Sequence, residues 1–260
     1  MRLSYCAQIF AAALACAAAF PQCIQPSLAD GIGRATFQQI DLSDTRNDLS
    51  YLSYYAYSEV QPATKPADTV LDALKSTPQG TPIEEIRRVS SLLRLDFTFM
   101  KAVAKIESGF DPKQRTGSYI GLFQLSNKEF EKYGSGDILN ARDNAVAAAI
   151  KFTTEAVMFQ MFTRKIPVLS DVYLIHQQGV EGAAEHVGNP RRLAWQSMCA
   201  TEEGKEKGEK WCKRAIWGNT LPAVKRIWKN VNKVNSAAFV AMWKQRVAEF
   251  YARYSEAASN

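Results

Sequence analysis

The chain has 260 residues, of which 47% are hydrophobic and 22% are charged, with a formal net charge of +6. This composition excludes a disordered chain and supplies enough apolar material for one or two folded domains. The charge excess is modest and is not that of a dedicated nucleic-acid-binding protein, so we expect no nucleic-acid partner. It suits acidic polymers or an anionic surface of a cell envelope.

Residues 1–29 have the pattern of a secretory signal peptide. Arg2 provides a short positive start, residues 9–20 form an apolar run that is too short to span a bilayer comfortably, and Ser27 and Ala29 are small residues before a cleavage site. A buried N-terminal helix and a lipoprotein attached at Cys16 are the alternatives. We expect export into an oxidising compartment, and no later segment is a transmembrane candidate.

Residues 30–80 are polar and interrupted by prolines, which predicts a flexible tether with a segment that docks on the folded domain. From Thr81 onward the pattern is helical, because Thr81 and Glu84 form a capping box around Pro82. Strand signals are few, so the sequence predicts a mainly α protein. The predicted helices are residues 83–93, residues 97–108 capped by Asp96, residues 143–162, residues 171–178 capped by Ser170 and stopped by Gly179, residues 221–233, and residues 236–254.

Cys199 and Cys212 are the two cysteines that remain once the signal peptide is removed. In an oxidising compartment an isolated pair is most simply a disulfide, here closing a loop rich in Gly, Lys and Glu. A metal site is the weaker alternative, since no further Cys or nearby His completes one, and we expect no metal. The pair lies in residues 191–260, which we expect to form a helical extension packed on the core.

One carboxylate of the second predicted helix lies on its apolar face. Met100, Val103 and Ala104 define that face, and Glu107 follows Met100 by seven residues and Val103 by four. Burial there disfavours the charged form and raises the pKa of the carboxyl, which suits a general acid. The alternative is a helix-end glutamate that reaches solvent.

A second motif follows after a short loop. Residues 108–112 (Ser-Gly-Phe-Asp-Pro) end the helix, and residues 121–124 read Gly-Leu-Phe-Gln. Gly121 allows close approach of the backbone to a ligand. Gln124 offers an amide donor and acceptor, which suit the hydroxyl and N-acetyl groups of a sugar.

The run from Ala104 to Pro112, with the Gly-Leu-Phe-Gln motif at this spacing, resembles the catalytic core of soluble lytic transglycosylases. The family shares the goose-type lysozyme fold, and its pattern is Glu-Ser-x-Phe-Asn/Asp-Pro followed by Gly-Leu-Met-Gln. The resemblance extends through Asn144 and residues 175–179 (Ile-His-Gln-Gln-Gly), and covers about residues 82–188. It implies a lysozyme-like helical domain with a catalytic cleft.

By this resemblance residues 81–190 are the catalytic core and Glu107 is its sole acid and base. Glu107 would protonate the β-1,4 glycosidic oxygen between N-acetylmuramic acid and N-acetylglucosamine. As a carboxylate it would take the proton from the muramoyl C6 hydroxyl, which attacks C1 and gives a 1,6-anhydro end. The reaction needs no cofactor, no water and no second carboxylate, unlike that of the usual glycosidases.

The resemblance also implies a partner, a location and a set of binding residues. The partner is the glycan strand of peptidoglycan, no protein partner is indicated, and the location is the periplasm. The residues implied to bind the substrate are Ser108, Tyr119, Gly121, Leu122, Phe123, Gln124, Tyr173, His176, Gln177 and Gln178.

The chain departs from the family pattern at three positions. Phe123 stands where the family usually has methionine and offers a comparable apolar wall. Tyr119 lies in a shortened loop and reshapes one side of the cleft. His176 replaces a tyrosine that commonly approaches the catalytic acid, so the tuning of Glu107 stays open. Tyr173 shares the face of His176, and either reaches the cleft or packs in the core.

Two other functions remain open. A hydrolytic muramidase of the same fold would need a second carboxylate, for which Asp111, Asp137 and Asp143 are nearest in sequence. A catalytically silent peptidoglycan-binding protein is disfavoured by the intact pair Glu107 and Ser108. Three tryptophans of the C-terminal extension are interpreted as packing residues, with stacking on sugar rings as the alternative: Trp195, Trp211 and Trp217.

Overall fold

The computed structural model describes residues 64–259 of the chain. The expected signal peptide, residues 1–29, and residues 30–63 of the expected tether lie outside the described residues. Over residues 64–259 the protein is mainly helical, which confirms the predicted class. The elements in chain order are α1 (Pro66–Leu74), α2 (Pro82–Leu92), α3 (Phe97–Ser108), β1 (Arg115–Thr116), β2 (Tyr119–Ile120), β3 (Leu125–Ser126), α4 (Asn127–Tyr133), α5 (Ala141–Thr163), α6 (Leu169–Gly188), α7 (Ala194–Cys199), α8 (Glu202–Lys207), α9 (Glu209–Gly218), α10 (Pro222–Trp228), a 3-10 helix (Val231–Lys233) and α11 (Ser236–Ser259).

Side-chain caps set two helix starts where the sequence predicts them. The Glu84 carboxylate accepts a hydrogen bond from the backbone N–H of Thr81 at 2.6 Å, and the capping box begins α2. Asp96 accepts from the backbone N–H of Phe99 at 2.8 Å and begins α3. Gly109, with a φ of 65°, ends α3 in the left-handed conformation that glycine adopts without strain.

Two helices begin earlier than predicted because other residues cap them. α5 begins at Ala141, since the Asn140 side chain accepts from the N–H groups of residues 142 and 143 at 2.9 and 3.3 Å. α6 begins at Leu169, and its first turn is closed by Asp171, whose carboxylate accepts from the N–H of Val168 at 3.1 Å. The prediction that Asp143 and Ser170 start these helices is therefore wrong by one or two residues.

The part of the expected tether that the structure describes is folded. Residues 66–74 form α1, in which Ala67 and Leu74 are buried. Arg142 of α5 donates to the carbonyl oxygen of Leu74 at 3.0 Å and to the carboxylate of Glu85 at 2.7 Å. These contacts hold α1 against the domain, so residues 66–74 are a docked segment within residues 30–80.

Two residues with positive φ interrupt the helical segments, one at a predicted helix end and one inside a predicted helix. Gly179 has a φ of 71° and a ψ of 167°, which interrupts α6 where the sequence predicts its end, and a second helical segment follows to Gly188. Lys229 has a φ of 57° and separates α10 from the 3-10 helix. The predicted helix over residues 221–233 is therefore two shorter elements.

The core is built around α5, which packs against α1, α2, α4 and α6. Among the residues described, α5 is the one helix that is long and apolar enough to cross a membrane, a candidate that the sequence prediction had missed. Because 72% of its apolar window is buried inside the protein, α5 has the burial of a core helix. The C-terminal helix α11 packs against α3 and α6.

The disulfide-linked region, here called the disulfide arm, comprises residues 194–219 and contains α7, α8 and α9. Cys199 and Cys212 are joined as predicted, with an S–S distance of 2.05 Å. A Cβ at Gly204 would overlap the carbonyl oxygen of Met198, so α8 lies directly against the end of α7. The loop predicted between the cysteines is thus a compact pair of short helices.

Candidate active site

A cavity of about 410 Å³ is lined by residues from α3, the β1–β3 sheet, α4, α5, α6 and the disulfide arm. It contains Glu107 and five of the predicted substrate-binding residues. These five are Tyr119, Gln124, His176, Gln177 and Gln178. The sequence-predicted catalytic acid and half of the predicted binding residues therefore meet in one cleft.

Glu107 lies in the last turn of α3, on the face that the sequence predicts. Its side chain is 13% exposed to solvent. Oε1 accepts hydrogen bonds from the Tyr173 hydroxyl at 2.9 Å and from Gln177 Nε2 at 2.8 Å. Burial raises the pKa of Glu107 to about 7, although the two donated hydrogen bonds and the charge of Lys151 act in the opposite direction. Glu107 is thus a carboxyl that is protonated in a large fraction of molecules near neutral pH.

Tyr173, which the sequence left undecided between cleft and core, is a core residue outside the cavity lining, and only its hydroxyl meets Glu107. Its ring is fully buried and packs edge-on against Trp243 of α11, with the ring centroids 5.6 Å apart. Its hydroxyl reaches Glu107 and also accepts from Gln177 Nε2 at 3.3 Å. Packing by α11 therefore fixes the donor that orients the carboxyl, a contact between distant segments that sequence periodicity does not reveal.

His176 is next to Glu107 but makes no ion pair with it. Its Nε2 is 3.9 Å from Glu107 Oε1, and its Nδ1 is 3.4 Å from Lys151 Nζ. Because an ammonium group only donates, Nδ1 is the acceptor and the ring proton is on Nε2. Burial and the charge of Lys151 lower the pKa of His176 to about 3, so the imidazole is neutral. The tyrosine contact expected at this position is made by Tyr173 instead.

Lys151 is a buried cation in the cavity wall that sequence reasoning missed. Its Nζ lies 2.7 Å from Glu155 Oε2 and 3.4 Å from Glu129 Oε1. Burial opposes its charge, but the attraction of the two carboxylates outweighs burial and raises the pKa of Lys151. The available signal was a Lys and a Glu four residues apart within the otherwise apolar sequence of α5. Because the Lys151 ammonium donates a hydrogen bond to Nδ1 of His176, it fixes the tautomer of His176 that has its proton on Nε2.

The Gly-Leu-Phe-Gln motif has mainly a structural role. Leu122 and Phe123 are fully buried, and the N–H of Phe123 donates to Asn144 Oδ1 at 2.9 Å. Gly121 has a φ of 84°, and a Cβ there would overlap Asn144 Nδ2. Gly121, Leu122 and Phe123, which are predicted to bind the substrate, are not among the residues that line the cavity. Gln124 alone of the four lines it.

Ser108 and Gln124 connect this motif to its surroundings. The Ser108 hydroxyl is within hydrogen-bond distance of the carbonyl oxygens of Leu122 (2.8 Å) and Ala104 (3.1 Å), so it ties the motif to α3 and is not a lining residue. Gln124 Nε2 donates to the carbonyl oxygens of Gln114 and Gly121, whereas its buried Oε1 has no partner in the described structure. Gln124 therefore presents an unused acceptor beside the cavity.

Two further predicted binding residues, Tyr119 and Gln178, also line the cavity. Tyr119 is 49% exposed and Gln178 Nε2 donates to the carbonyl oxygen of Gln177 at 2.9 Å. Residues 64–259 contain no group of three or more His, Cys, Asp or Glu side chains placed to hold a metal ion. The polar groups of the cleft are thus the carboxyl groups of four glutamates, side-chain amides, a neutral imidazole, a phenol, a hydroxyl and one ion-paired lysine.

A comparison of the chain with protein-family models finds no match, and neither does a search of the curated proteins. What the cleft does is therefore inferred from its own geometry and from the motifs in the sequence.

Proposed function

We propose that the protein is a peptidoglycan lytic transglycosylase with a lysozyme-like helical fold of the goose type. The observation that carries the proposal is Glu107, a largely buried carboxyl in the cavity wall whose pKa is raised to about 7. Both hydrogen bonds from Tyr173 and Gln177 fall on Oε1, so Oε2 is left to carry the acid proton. A protonated carboxyl held in one orientation is the main requirement of a general acid for glycosidic cleavage.

In the proposed reaction Glu107 Oε2 donates its proton to the glycosidic oxygen as the bond to C1 of N-acetylmuramic acid breaks. The resulting carboxylate is stabilised by the donors Tyr173 and Gln177. It then accepts the proton of the muramoyl C6 hydroxyl while O6 bonds to C1. The proton that Glu107 gave is thereby restored, and the products are a free 4-hydroxyl end and a 1,6-anhydro end.

The other carboxylates of the described structure favour a mechanism with one carboxyl. Glu129, Glu155 and Glu203 also line the cavity. Glu129 and Glu155 are within ion-pair distance of Lys151, and Glu203 is paired with Lys207. Asp111, Asp137 and Asp143, the residues nearest in sequence, are not among the lining residues. A hydrolase of the inverting type needs a carboxylate that is free to activate water, and the Lys151 pairing opposes that role.

The disulfide supports the proposed periplasmic location, because such bonds persist in oxidising compartments. The proposed ligand is the glycan strand of peptidoglycan. Its N-acetyl and hydroxyl groups match the amides of Gln124, Gln177 and Gln178 in the cleft.

The test is the release of soluble fragments from dye-labelled peptidoglycan by residues 30–260. We expect release by the wild type and by Glu131→Gln, which changes an exposed glutamate of α4 outside the cavity. Glu107→Gln should lose release by at least about a hundredfold while keeping glycan binding, which is the lower end of the usual contribution of a general acid. Substantial release by Glu107→Gln would overturn the proposed role, and glycan binding by a wild type that releases nothing would favour the silent binding protein.

A further inference from the structure

The disulfide arm supplies part of the cavity wall, although it lies outside the segment that resembles the transglycosylase family. Its contribution consists of Met198, Glu203, Trp211, Ala215 and Asn219. The arm therefore presents one large aromatic ring and one side-chain amide to the same space as Glu107. A ligand that fills the cavity as far as Glu107 would therefore also contact the disulfide arm.

Trp211 differs from the other two tryptophans of the arm. All three rings pack partly against the core, but Trp211 lines the cavity whereas Trp195 and Trp217 are not among the lining residues. The Trp211 ring has Lys207 Nζ 5.0 Å from its centroid, and Lys207 is paired with Glu203 at 2.5 Å. A lysine paired with an acidic residue of the cavity wall thus lies over the Trp211 ring, within the same arm.

Trp211 lies directly beside the disulfide in the sequence. The helices α7 and α8 have six residues each, which is too short for a helix to be stable without tertiary contacts. The disulfide joins Cys199, which follows Met198, to Cys212, which follows Trp211. It therefore links the two parts of the arm at positions directly adjacent to two lining residues.

We propose that Trp211 and Asn219 form a sugar-binding platform for an N-acetylated amino sugar of the glycan strand, positioned by the disulfide between Cys199 and Cys212. The inference rests on the proposed function and extends it to a module that the family motifs do not include. The apolar face of a pyranose ring stacks on an aromatic side chain, and the Asn219 amide matches the donor and acceptor of an N-acetyl group.

The experiment measures the affinity for purified, uncross-linked peptidoglycan glycan strands by titration calorimetry in the Glu107→Gln background, which prevents turnover. Trp211→Ala should weaken binding by roughly tenfold, the scale of losing one important aromatic anchor at an interface. Trp211→Phe should keep most of the affinity. The matched control Trp217→Ala, on the same helix but outside the cavity, should bind within about twofold of the parent.

The role of the disulfide is tested by replacing Cys199 and Cys212 together with serine. We expect weaker glycan binding, and a smaller further loss when Trp211→Ala is added, because both changes act on the same platform. Equal losses from Trp211→Ala in the presence and absence of the disulfide would overturn the positioning role. Thermal unfolding of each variant separates lost binding from lost folding.

The two proposals fail in different ways. If the wild type releases fragments and Trp211→Ala is folded with unchanged affinity and KM, the proposed sugar-binding platform is wrong, whereas the proposed transglycosylase activity is unaffected. If the Glu107→Gln protein binds no glycan and the wild type releases no fragments, the proposed function itself is wrong.

Discussion

Glu107→Gln should make the protein more stable at alkaline pH, because the fold opposes ionisation of this carboxyl. Burial raises the pKa of Glu107 from an ordinary value of 4.5 to about 7. Between these two values the folded protein holds a proton that the unfolded chain has lost. The free energy of unfolding of the wild type therefore falls as pH rises through this interval.

The size of the effect follows from the two pKa values. The interval from 4.5 to about 7 corresponds to about 3 kcal/mol at 25 °C. Glutamine cannot ionise, and its amide oxygen can accept the hydrogen bonds that Tyr173 and Gln177 donate. We expect Glu107→Gln to exceed the wild type by about 3 kcal/mol at pH 8 and to match it near pH 4.

The assay is urea unfolding of wild type, Glu107→Gln and Glu131→Gln at several pH values from 4 to 8, with the disulfide intact. Glu131→Gln should follow the wild type, since its side chain is exposed. A stability difference between Glu107→Gln and wild type that does not change with pH would refute the raised pKa, and with it the assignment of Glu107 as a protonated acid.

Three further outcomes follow from the site. Tyr173→Phe removes a donor to the Glu107 carboxylate and should raise its pKa, so the alkaline fall of kcat/KM near pH 7 should move to higher pH; an unchanged profile would contradict the contact. Gly121→Ala should cost about 3 kcal/mol in urea unfolding, from backbone strain and overlap, whereas Gly117→Ala, at a similar φ with open space, should cost about 1 kcal/mol. Lys151→Met leaves two carboxylates without their cation and should cost about 3 kcal/mol at pH 7; a smaller loss at pH 4, where carboxylates protonate, would identify the cause.

Local signals in the sequence predicted a large part of the fold and the position of the acid. Thr81 and Asp96 act through neighbours three residues away, so their helix starts can be read directly. The helical period of α3 is sufficient to predict that Glu107 lies on the apolar face of that helix. The pairing of Cys199 with Cys212 follows from counting the cysteines that remain if residues 1–29 are a signal peptide, as the sequence predicts.

The parts of the site that the sequence did not predict depend on contacts between distant segments. Tyr173 meets Glu107 only because α6 and α3 are held together by α11, through Trp243. Lys151 lies in α5, a helix that is buried on most of its surface. Because such a helix has no single apolar face, its periodicity does not predict which way Lys151 points. Trp211 reaches the cavity because short helices of the disulfide arm fold back on α6, which no local pattern specifies.

The central claim, cleavage by one carboxyl without water, is tested most directly by digesting purified peptidoglycan with residues 30–260 in water enriched in heavy oxygen. Mass spectrometry of the soluble fragments should find 1,6-anhydromuramoyl ends, each lighter than a reducing end by one water and free of heavy oxygen. Reducing ends that carry heavy oxygen would contradict the account, and would establish a hydrolase in which a second group activates water.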